Sequence, residues 1–557
     1  MNPVTRRQFL QLGLVAPAPL GLLPADDFKV YPNRWVYVAT HLDSDGELER
    51  VENVVRTASQ HGLNGMVIDG GFDAFDLKPR DYVRRLLHLK KVCDNESVEL
   101  IPLGFNASRA NGVLAHNKNL AAGLPVHDAL YVAGDREAHF VSDSPARLLN
   151  GSFEDQMANL PANFSVHDGR VVLDTTVAHS GSASVRFDGA SRSAFVSQEV
   201  RATPYRCYGL HCWVKTAEVS SGTDFHLSAI APDGRDLAYL EYPLAGTSDW
   251  TRIDWAFNSW YADRVDFQVG FYGGSSGTIW VDDVRLGEIG LTNVLRRPGT
   301  PVLVRNEKTG QIYDENRDYA PITDPNLDFL WGHEGPPIYL LPGGRIRSGE
   351  RLRVNYFHGV RIYQKQVVAD MSEPEVYEIW RKQVQLIAKY LSPRKYFLSM
   401  DEIRVGGFCK ACQDRHLPMA EILGDCVRRQ AAMIHDVNPR AEILIWSDMF
   451  DPNHNAKKEY YLIDGSFDGT WKYLPKRLVI VCWYYDERSR SLPFFSKLGY
   501  QTLAGAYYDA TNLQNTRGWL RSLAHTPGAV GIMYTTWQKK YRLLPAFGDL
   551  VSGNGKR

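Results

Sequence analysis

The sequence predicts an α/β protein, a (β/α)8 TIM-type barrel into which an all-β jelly-roll sandwich is inserted. Short apolar runs alternate with amphipathic helical stretches near both ends of the chain, which is typical of parallel βα units. The central region instead has short alternating runs separated by Gly, Ser, Asp and Asn, which is typical of antiparallel sheets. Several later apolar runs end in acids or aromatic residues, as barrel strands do around an active site.

The first part of the barrel is predicted at residues 30–145. Apolar runs that fit buried strands alternate there with stretches of helical periodicity. In chain order, the predicted elements are a strand at 34–40, a helix at 47–61, a strand at 66–69, a helix at 79–93 and a strand at 100–105.

Two β regions are predicted to follow. Residues 148–288 form the sandwich, because runs such as 183–187, 208–214 and 265–271 alternate apolar and polar side chains. Residues 290–358 are predicted as a small β subdomain of hairpins.

The second part of the barrel is predicted at residues 359–551. Five apolar runs near positions 397, 443, 479, 503 and 530 bring the number of strands to eight, which a barrel of this type requires. The sandwich would then lie between the third and fourth barrel strands. A segment near 352–358 is a rival for one of the strand positions.

Composition narrows the class of protein. A chain of 557 residues is too long for one ordinary domain, so two or three are expected. The formal net charge of −1 gives no reason to expect a nucleic-acid partner. Seven cysteines, an odd number, argue against a full disulfide framework. Cys409-x-x-Cys412 lacks the second Cys pair of a zinc ribbon, so it is interpreted as a local disulfide or two free thiols.

The N-terminus predicts export. Thr5-Arg6-Arg7-Gln8-Phe9-Leu10, followed by an apolar stretch and small residues, resembles a twin-arginine signal peptide over residues 1–25. The mature protein is therefore expected in the periplasm or outside the cell. No other run is long and apolar enough for a membrane span.

The most informative stretch is Asp401-Glu402, which ends the apolar run 396–400. Glycoside hydrolysis needs a carboxylic acid that protonates the leaving oxygen and an anionic group that supports the cation-like transition state. Two close carboxylates separate each other's pKa values, so one can stay protonated near neutral pH. Further strand ends supply acids and aromatic rings suited to a sugar: His41, Asp69, Trp446, Asp448, Trp483, Tyr507, Asp509 and Trp537. The sequence thus predicts a glycoside hydrolase that acts on an oligo- or polysaccharide and needs no cofactor for catalysis.

An Asp-Glu pair at the end of the fourth barrel strand resembles the signature of family-20-type β-N-acetylhexosaminidases. The resemblance implies that Asp401 orients the 2-acetamido group of the substrate and that Glu402 is the general acid/base. It also makes the later Trp, Tyr and Asp residues named above counterparts of the family's substrate contacts. The chain departs from the family in having Phe397-Leu398-Ser399-Met400 where His-x-Gly-Gly is usual. His41 and Asp43 stand where an Arg is expected.

The predicted sandwich resembles jelly-roll carbohydrate-binding modules in its opening, 149–154, and its close, 279–284. In that family an opening Glu and a closing Asp help to hold a structural calcium ion. The matching residues are Glu154 and Asp282, and oxygen ligands are what that ion prefers.

Three alternatives remain open. A retaining glycosidase could use Asp448 or Asp509 as a protein nucleophile. A metal-dependent hydrolase such as a deacetylase could draw its ligands from scattered acids and histidines, although no His-x-His or His-Glu-x-x-His spacing is present. The third alternative is a glycan-binding protein without catalysis. The scattered ligands of the second are His41, Asp69, His333, His358, Asp448 and His454.

Overall fold

A computed structural model describes residues 28–168, 170–189, 193–272, 276–329 and 332–554. Its centre is a closed barrel of eight parallel strands, which neighbour one another in chain order. The strands are Asn33–Ala39, Gly65–Asp69, Glu99–Gly104, Lys395–Leu398, Glu442–Trp446, Leu478–Cys482, Gln501–Tyr507 and Ala529–Thr535. The predicted closed parallel barrel and its eight strand positions are confirmed. The predicted signal peptide lies outside the described residues.

Helices separate most of the barrel strands along the chain. They are Asp45–Gln60, Arg80–Asn95, Pro374–Leu391, Met419–Val437, Arg488–Lys497 and Gln514–Ala524, and Leu544–Ser552 follows the last strand. Between the fifth and sixth strands the described chain has no α-helix, only the 3₁₀ turns Asp448–Phe450 and Thr470–Lys472 and the two-residue strand Leu462–Ile463. The regular helix-strand alternation of a TIM-type barrel is therefore incomplete, and that finer class stays a prediction.

The side chains of the barrel strands divide into two packing clusters. Trp35, Tyr37 and Phe397 belong to the cluster inside the barrel. Their chain neighbours Val36 and Leu398 belong to the larger cluster that includes the surrounding helices. Successive side chains of a strand point to opposite faces, so a strand that is apolar on both faces suits a buried parallel sheet.

An antiparallel module lies between the third and fourth barrel strands in the chain, as predicted. Its central strand, Cys207–Ile230, pairs with Thr278–Ile289 along its first half and with Arg264–Tyr272 along its second half. Register shifts between Val214 and Thr223 separate the two halves. The remaining strands are Ser165–His167, Val171–Asp174, Ser184–Asp188, Ala194–Arg201 and Asp236–Asn258.

A third, six-stranded sheet is antiparallel. Its strand order is Ile312–Tyr313, Leu303–Asn306, Arg351–Gly359, Gly123–Ala133, Glu137–Phe140 and Ile338–Tyr339. The rival segment near 352–358 therefore pairs in this sheet and not in the barrel. Two strands from the range predicted as the first barrel part, within 123–140, also lie in this sheet, because Leu352 and Val354 pair with Tyr131 and Ala129.

The smaller elements connect these units. Short helices cover Asn111–Leu114 and Lys410–Gln413, and 3₁₀ turns cover Phe72–Leu77 and Lys118–Leu120. Two-residue strands pair Val405–Gly406 with Leu462–Ile463 and Gln156–Met157 with Leu160–Pro161. Among the described residues, no helix has the length and apolarity needed to cross a bilayer.

Candidate active site

A cavity of about 500 Å³ opens at the carboxyl ends of the barrel strands. Four aromatic rings line it: Tyr37, Trp446, Tyr508 and Trp537. Carboxylates face the same space from the barrel and from the antiparallel module: Asp69, Asp401, Asp509 and Glu241. Flat apolar rings beside carboxylates match the mixed apolar and hydroxylated surface of a sugar ring.

Asp69 and Asp401 are two of the four residues whose carboxyl groups face this cavity. Burial raises the pKa of Asp69, and the negative charge of Asp401 adds to the rise. The Tyr37 hydroxyl opposes it by donating a hydrogen bond of 3.2 Å to Asp69 Oδ2. A raised pKa lets a carboxyl group carry a proton closer to neutral pH, which suits a proton donor.

Two consecutive hydrogen bonds orient the side chain of Asp401. Asn106 Nδ2 donates to Ser399 Oγ at 3.1 Å, and Ser399 Oγ donates to Asp401 Oδ1 at 3.1 Å. The backbone N–H of Asn106 donates to Asp73 Oδ2 at 3.0 Å. Burial raises the pKa of Asp73 to about 6, although this N–H and that of Phe105 oppose the rise. Asp401 is thus oriented by side chains from the ends of the third and fourth strands.

Glu402 lies behind the cavity wall and is not one of the lining residues. Its side chain is 1% exposed, and Oε2 lies 3.6 Å from Nη2 of Arg109, which does line the cavity. On the other side, Oε1 lies 3.2 Å from Nη2 of the equally buried Arg404. Two guanidinium groups stabilise a carboxylate by Coulomb attraction. The predicted convergence of both members of the Asp-Glu pair on one cavity is seen for Asp401 only.

The backbone explains this difference between neighbours. Glu402 has φ of 52°, in the left-handed region that non-glycine residues seldom occupy. The turn directs the Glu402 N–H to Asp448 Oδ2 at 2.8 Å. A left-handed non-glycine residue costs about 1 to 3 kcal/mol and persists where surrounding contacts enforce it, often at functional sites.

Asp448 is a fully enclosed carboxylate that holds the Glu402 backbone. It also accepts from Asn455 Nδ2 at 2.9 Å and from Trp483 Nε1 at 3.2 Å. Burial, followed by the charges of Asp401 and Glu402, raises the pKa of Asp448 to about 7. Since Asp448 does not line the cavity, the geometry does not favour it as a nucleophile.

A column of stacked rings joins the antiparallel module to Glu402. Tyr239 of the module stacks on Tyr363 with ring centroids 5.2 Å apart. The Arg404 guanidinium lies over Tyr363 at 4.4 Å and over Tyr461 at 4.8 Å. Arg404 is therefore held between two phenol rings while its Nη2 faces Glu402.

The module also supplies part of the cavity wall. Glu241 and Pro243 lie on its strand Asp236–Asn258, and both line the cavity. Gln364 Nε2 donates to Glu241 Oε2 at 2.8 Å, and the Gln364 N–H donates to the Tyr239 carbonyl at 2.9 Å. The module and the segment that returns to the barrel thus close one side of the cavity together.

Of the aromatic residues predicted for the site, some line the cavity and others pack behind its wall. Trp446 and Trp537 line the cavity with ring centroids 6.2 Å apart. Trp483 is buried beneath it, stacked at 5.9 Å on Tyr508. Tyr507 stacks on Tyr534 at 4.1 Å and is not a lining residue, whereas its neighbour Tyr508 is. The strand alternation that predicted Tyr507 ends early.

The end of the seventh strand explains the exchange of Tyr507 for Tyr508. Tyr507, Tyr508 and Asp509 all have positive φ, at 71°, 56° and 59°. Asp509 accepts from Thr536 Oγ1 at 2.5 Å and from the Trp537 N–H at 2.7 Å. Asp509 therefore positions Trp537 as well as lining the cavity, and these contacts leave it less suited to act as a nucleophile.

The histidines proposed as metal ligands are dispersed. His41 is exposed and is not a lining residue, although its charge influences Asp69. His333 binds Asp324 at 2.6 Å. His358 is fully buried against Asn258 at 2.9 Å, and burial lowers its pKa to about 3. His454 packs on Trp483 at 4.4 Å. Within the described chain these residues form no group of three converging ligands.

The two predicted calcium ligands have N–H donors as neighbours. Glu154 accepts from the Ser182 N–H at 2.9 Å and from the Ser182 hydroxyl at 2.6 Å. Asp282 Oδ2 accepts from the N–H groups of His179 and Ser180 at 2.8 and 3.2 Å. Burial raises the pKa of Asp282 to about 6 despite these donors. A calcium ion would have to displace these bonds, and its binding stays a prediction.

The sequence reasoning missed several wall residues. Asn106 lies two residues past the end of the third strand, so the same strand-end argument could have found it. Arg109 and Tyr508 stand one to a few residues past a strand end, where no periodicity applies. Glu241 lies on a different sheet, and nothing in its local sequence points to the barrel.

Comparisons with known proteins carry little weight for this chain. No protein-family model matches it, and no curated protein matches it. Among solved structures it is similar to TmCBM61 in complex with β-1,4-galactotriose, at 21% identity over 26% of this chain and 99% of that one, with a TM-score of 0.21. The CBM22-1 xylan-binding domain of Paenibacillus barcinonensis Xyn10C matches at 14% identity, 28% and 96% coverage and a TM-score of 0.21.

The enzymatically active domain of bacteriophage CBA120 tailspike protein 4 also matches, at 17% identity. It covers 26% of this chain and 22% of that one, with a TM-score of 0.21. Similarities at this level support no conclusion about activity, so the functional argument depends on the cavity itself.

Proposed function

We propose that the protein is a glycoside hydrolase whose substrate binds in the cavity at the carboxyl ends of the barrel strands. The observation that supports this most strongly is the pair Asp69 and Asp401, which face one cavity walled by Trp446 and Trp537. Hydrolysis of a glycosidic bond needs two carboxyl groups in different protonation states near the anomeric carbon. The finer fold class that we propose is a TIM-type barrel with an inserted jelly-roll sandwich.

In the proposed reaction, Asp69 donates its proton to the glycosidic oxygen. The bond between that oxygen and the anomeric carbon then breaks, and the ring acquires positive charge. The Asp401 carboxylate, oriented by Ser399, stabilises this charge. Water supplies the hydroxyl group of the product, and its proton returns to a carboxylate.

Glu402 is the second candidate for the proton donor, as the resemblance to family-20-type enzymes implies. Its left-handed backbone is a specific observation in favour of a functional role. Arg109 separates it from the cavity, and because the Arg109 side chain is 35% exposed, it has room to move when a substrate enters. With Arg109 in place, Asp69 is the better-placed donor.

The antiparallel module is proposed to contribute to the same substrate site. Glu241 and Pro243 place it in the cavity wall, so it would contact sugar units that extend beyond the cleaved bond. This role differs from that of a binding module on a separate linker. It favours an oligo- or polysaccharide over a small aryl glycoside as the natural substrate.

The first experiment is a panel of aryl glycosides with and without a 2-acetamido group, followed by a panel of oligosaccharides. Release of the aglycone or of reducing ends by the wild-type protein, lost in Asp401→Asn, is expected. Absence of hydrolysis across both panels, together with measurable glycan binding, would favour the non-catalytic alternative. Activity that is lost on chelation would instead favour a metal-dependent hydrolase.

A paired experiment assigns the proton donor. Asp69→Asn is expected to lower kcat by about 100-fold or more and to remove the alkaline limb of the pH profile, since a general acid must be protonated. Glu402→Gln, measured in parallel, is expected to change the profile less. The reverse result would transfer the donor role to Glu402 and leave the proposed function intact. Thermal melting of both variants controls for misfolding.

A further inference from the structure

We propose that Asp370, Cys409 and Cys412 form a binding site for a thiophilic divalent metal ion of the zinc class. One ligand atom from each residue lies within 4.8 Å of the others, and all three residues are buried. In the described part of the chain, no other group of three His, Cys, Asp or Glu residues converges in this way. The site is separate from the cavity and does not depend on the proposed hydrolase activity.

The ligand geometry brings both sulfur atoms to one carboxylate. Cys409 Sγ lies 2.5 Å from Asp370 Oδ2, and Cys412 Sγ lies 3.3 Å from Asp370 Oδ1. Both cysteines are free thiols in the structure. Two thiolates and one carboxylate are a donor set that suits zinc, which prefers four tetrahedral ligands. The Ser372 hydroxyl, 3.2 Å from Cys412 Sγ, or a water molecule would complete the set.

Neighbouring groups donate hydrogen bonds to the proposed ligands. Arg297 Nη2 donates to Asp370 Oδ2 at 2.7 Å, and the Ser372 N–H donates to Asp370 Oδ1 at 2.9 Å. The Cys412 N–H donates to Cys409 Sγ at 3.4 Å. Hydrogen bonds of this kind orient ligands and stabilise their charged forms.

A divalent ion would also change the charge balance of this cluster. With both thiols ionised, the two sulfurs, Asp370 and the adjacent Glu373 carry negative charge, and Arg297 binds both carboxylates at 2.7 Å. One guanidinium cannot balance four anions, so a divalent ion lowers the electrostatic energy of the ionised cluster. A metal ion lowers the pKa of coordinating thiols and takes them as thiolates.

The site would anchor the loop that carries the carboxylate pair. The chain runs from Asp401 through Arg404 to Cys409, and the Lys410 N–H donates to the Gly299 carbonyl at 2.8 Å. A metal ion at Cys409 would thus connect this loop to residues 297–300 and 370–373. Its role is structural, because none of its ligands lines the cavity.

The test uses the full chain, isolated under reducing conditions, incubated with Zn²⁺ and dialysed. Elemental analysis is expected to find about one zinc per chain, the stoichiometry of a single site. Cys409→Ser, Cys412→Ser and Asp370→Asn are each expected to lose most of it. Cys93→Ala, a buried cysteine on a barrel helix, is the matched control and is expected to retain it.

A second measurement serves if the variants do not fold. Titration of the wild-type protein with Co²⁺ is expected to give a thiolate-to-cobalt charge-transfer band that Zn²⁺ abolishes. No charge-transfer band, equal zinc content in the wild type and all folded variants, or a Cys409–Cys412 disulfide that persists under these reducing conditions would each overturn the proposal.

Discussion

Two sets of buried or half-buried carboxylates in this protein have pKa values shifted in opposite directions. Around the barrel cavity, the half-buried Asp69 and the fully buried Asp448 lie near other negative charges, and their pKa values are raised. Away from the barrel, Asp174 and Asp318 are buried too, but their pKa values are lowered. Asp174 binds Trp280, Thr176 and Arg186, and Asp318 binds Arg345.

Under the proposed function, this difference separates acids at or behind the cavity from acids whose ion pairs and hydrogen bonds stabilise the fold. A carboxylate surrounded by donors is stabilised in its charged form and contributes to folding. A carboxylate buried beside other carboxylates costs folding free energy, so its presence calls for another explanation. Variants of the two sets should therefore fail in different assays.

The largest effect is expected for Asp401→Asn. On any substrate that the wild-type protein cleaves, kcat should fall by about 100- to 10 000-fold, because the neutral amide cannot stabilise the cation-like transition state. Its melting temperature should stay close to that of the wild type. Asp174→Asn in the antiparallel module is the control, and equal turnover of the two variants would contradict the division.

Asp318→Asn should show the opposite pattern. The free energy of unfolding should fall by about 2 kcal/mol, less than for a fully buried ion pair because the Arg345 side chain is 30% exposed. Turnover per folded molecule should not change. Denaturant titration measures the effect, and the exposed Asp314→Asn, expected to cost less, is its control. A loss of turnover beyond the loss of folded protein would count against a purely structural role.

The third prediction concerns pH. Asp448 has a pKa near 7 in the folded protein, above its ordinary value, so the folded state binds the proton more tightly than the unfolded state. Its contribution therefore disfavours folding increasingly as pH rises from about 4 to 7. Between pH 5 and pH 8, the free energy of unfolding of Asp448→Asn should therefore rise by on the order of 1 to 2 kcal/mol relative to that of the wild type.

To test this prediction, the difference in unfolding free energy between Asp448→Asn and the wild type is measured at both pH values, and the two differences are compared. This comparison cancels the loss of contacts to Glu402 and Trp483, which is present at both. An unchanged difference between pH 5 and pH 8 would show that Asp448 does not titrate in this range.

The smallest effect is expected for Glu241→Gln. Glu241 shares features with both sets of carboxylates, because it belongs to the antiparallel module but faces the barrel cavity. We expect KM for oligosaccharides to rise about threefold, a loss of less than 1 kcal/mol, with kcat and stability unchanged. Aryl monosaccharides should show no change, and an equal effect on both substrate classes would place Glu241 nearer the cleaved bond.

The barrel was predictable because its strands are short and apolar, and helices with clear periodicity separate most of them. Apolar strands such as Glu442–Trp446 and Leu478–Cys482 leave few other interpretations. The six-stranded sheet was harder, since Gly123–Ala133 follows three barrel strands in the chain but pairs with Arg351–Gly359, more than two hundred residues later. Pairing between segments so distant in sequence has no local signal.

The candidate site was predictable only as far as strand alternation applies. Asp69, Asp401, Trp446, Asp509 and Trp537 were found at strand ends and do line the cavity. Glu402 and Tyr507 were placed in the cavity by the same reasoning, but positive φ values turn their side chains elsewhere. These backbone turns depend on tertiary contacts, such as the Asp448 bond to the Glu402 N–H.

The interruption of the barrel between its third and fourth strands has a consequence for folding during synthesis. Glu99–Gly104 pairs with Gly65–Asp69 but cannot gain its second barrel partner until Lys395–Leu398 leaves the ribosome. These two strands then share only the pairs Phe397–Leu103 and Leu398–Gly104. The first three barrel strands therefore have unpaired edges while the ribosome synthesises the segments that form both antiparallel sheets. Closure of the ring should be a late and slow event, and the nascent chain is most prone to aggregation before it.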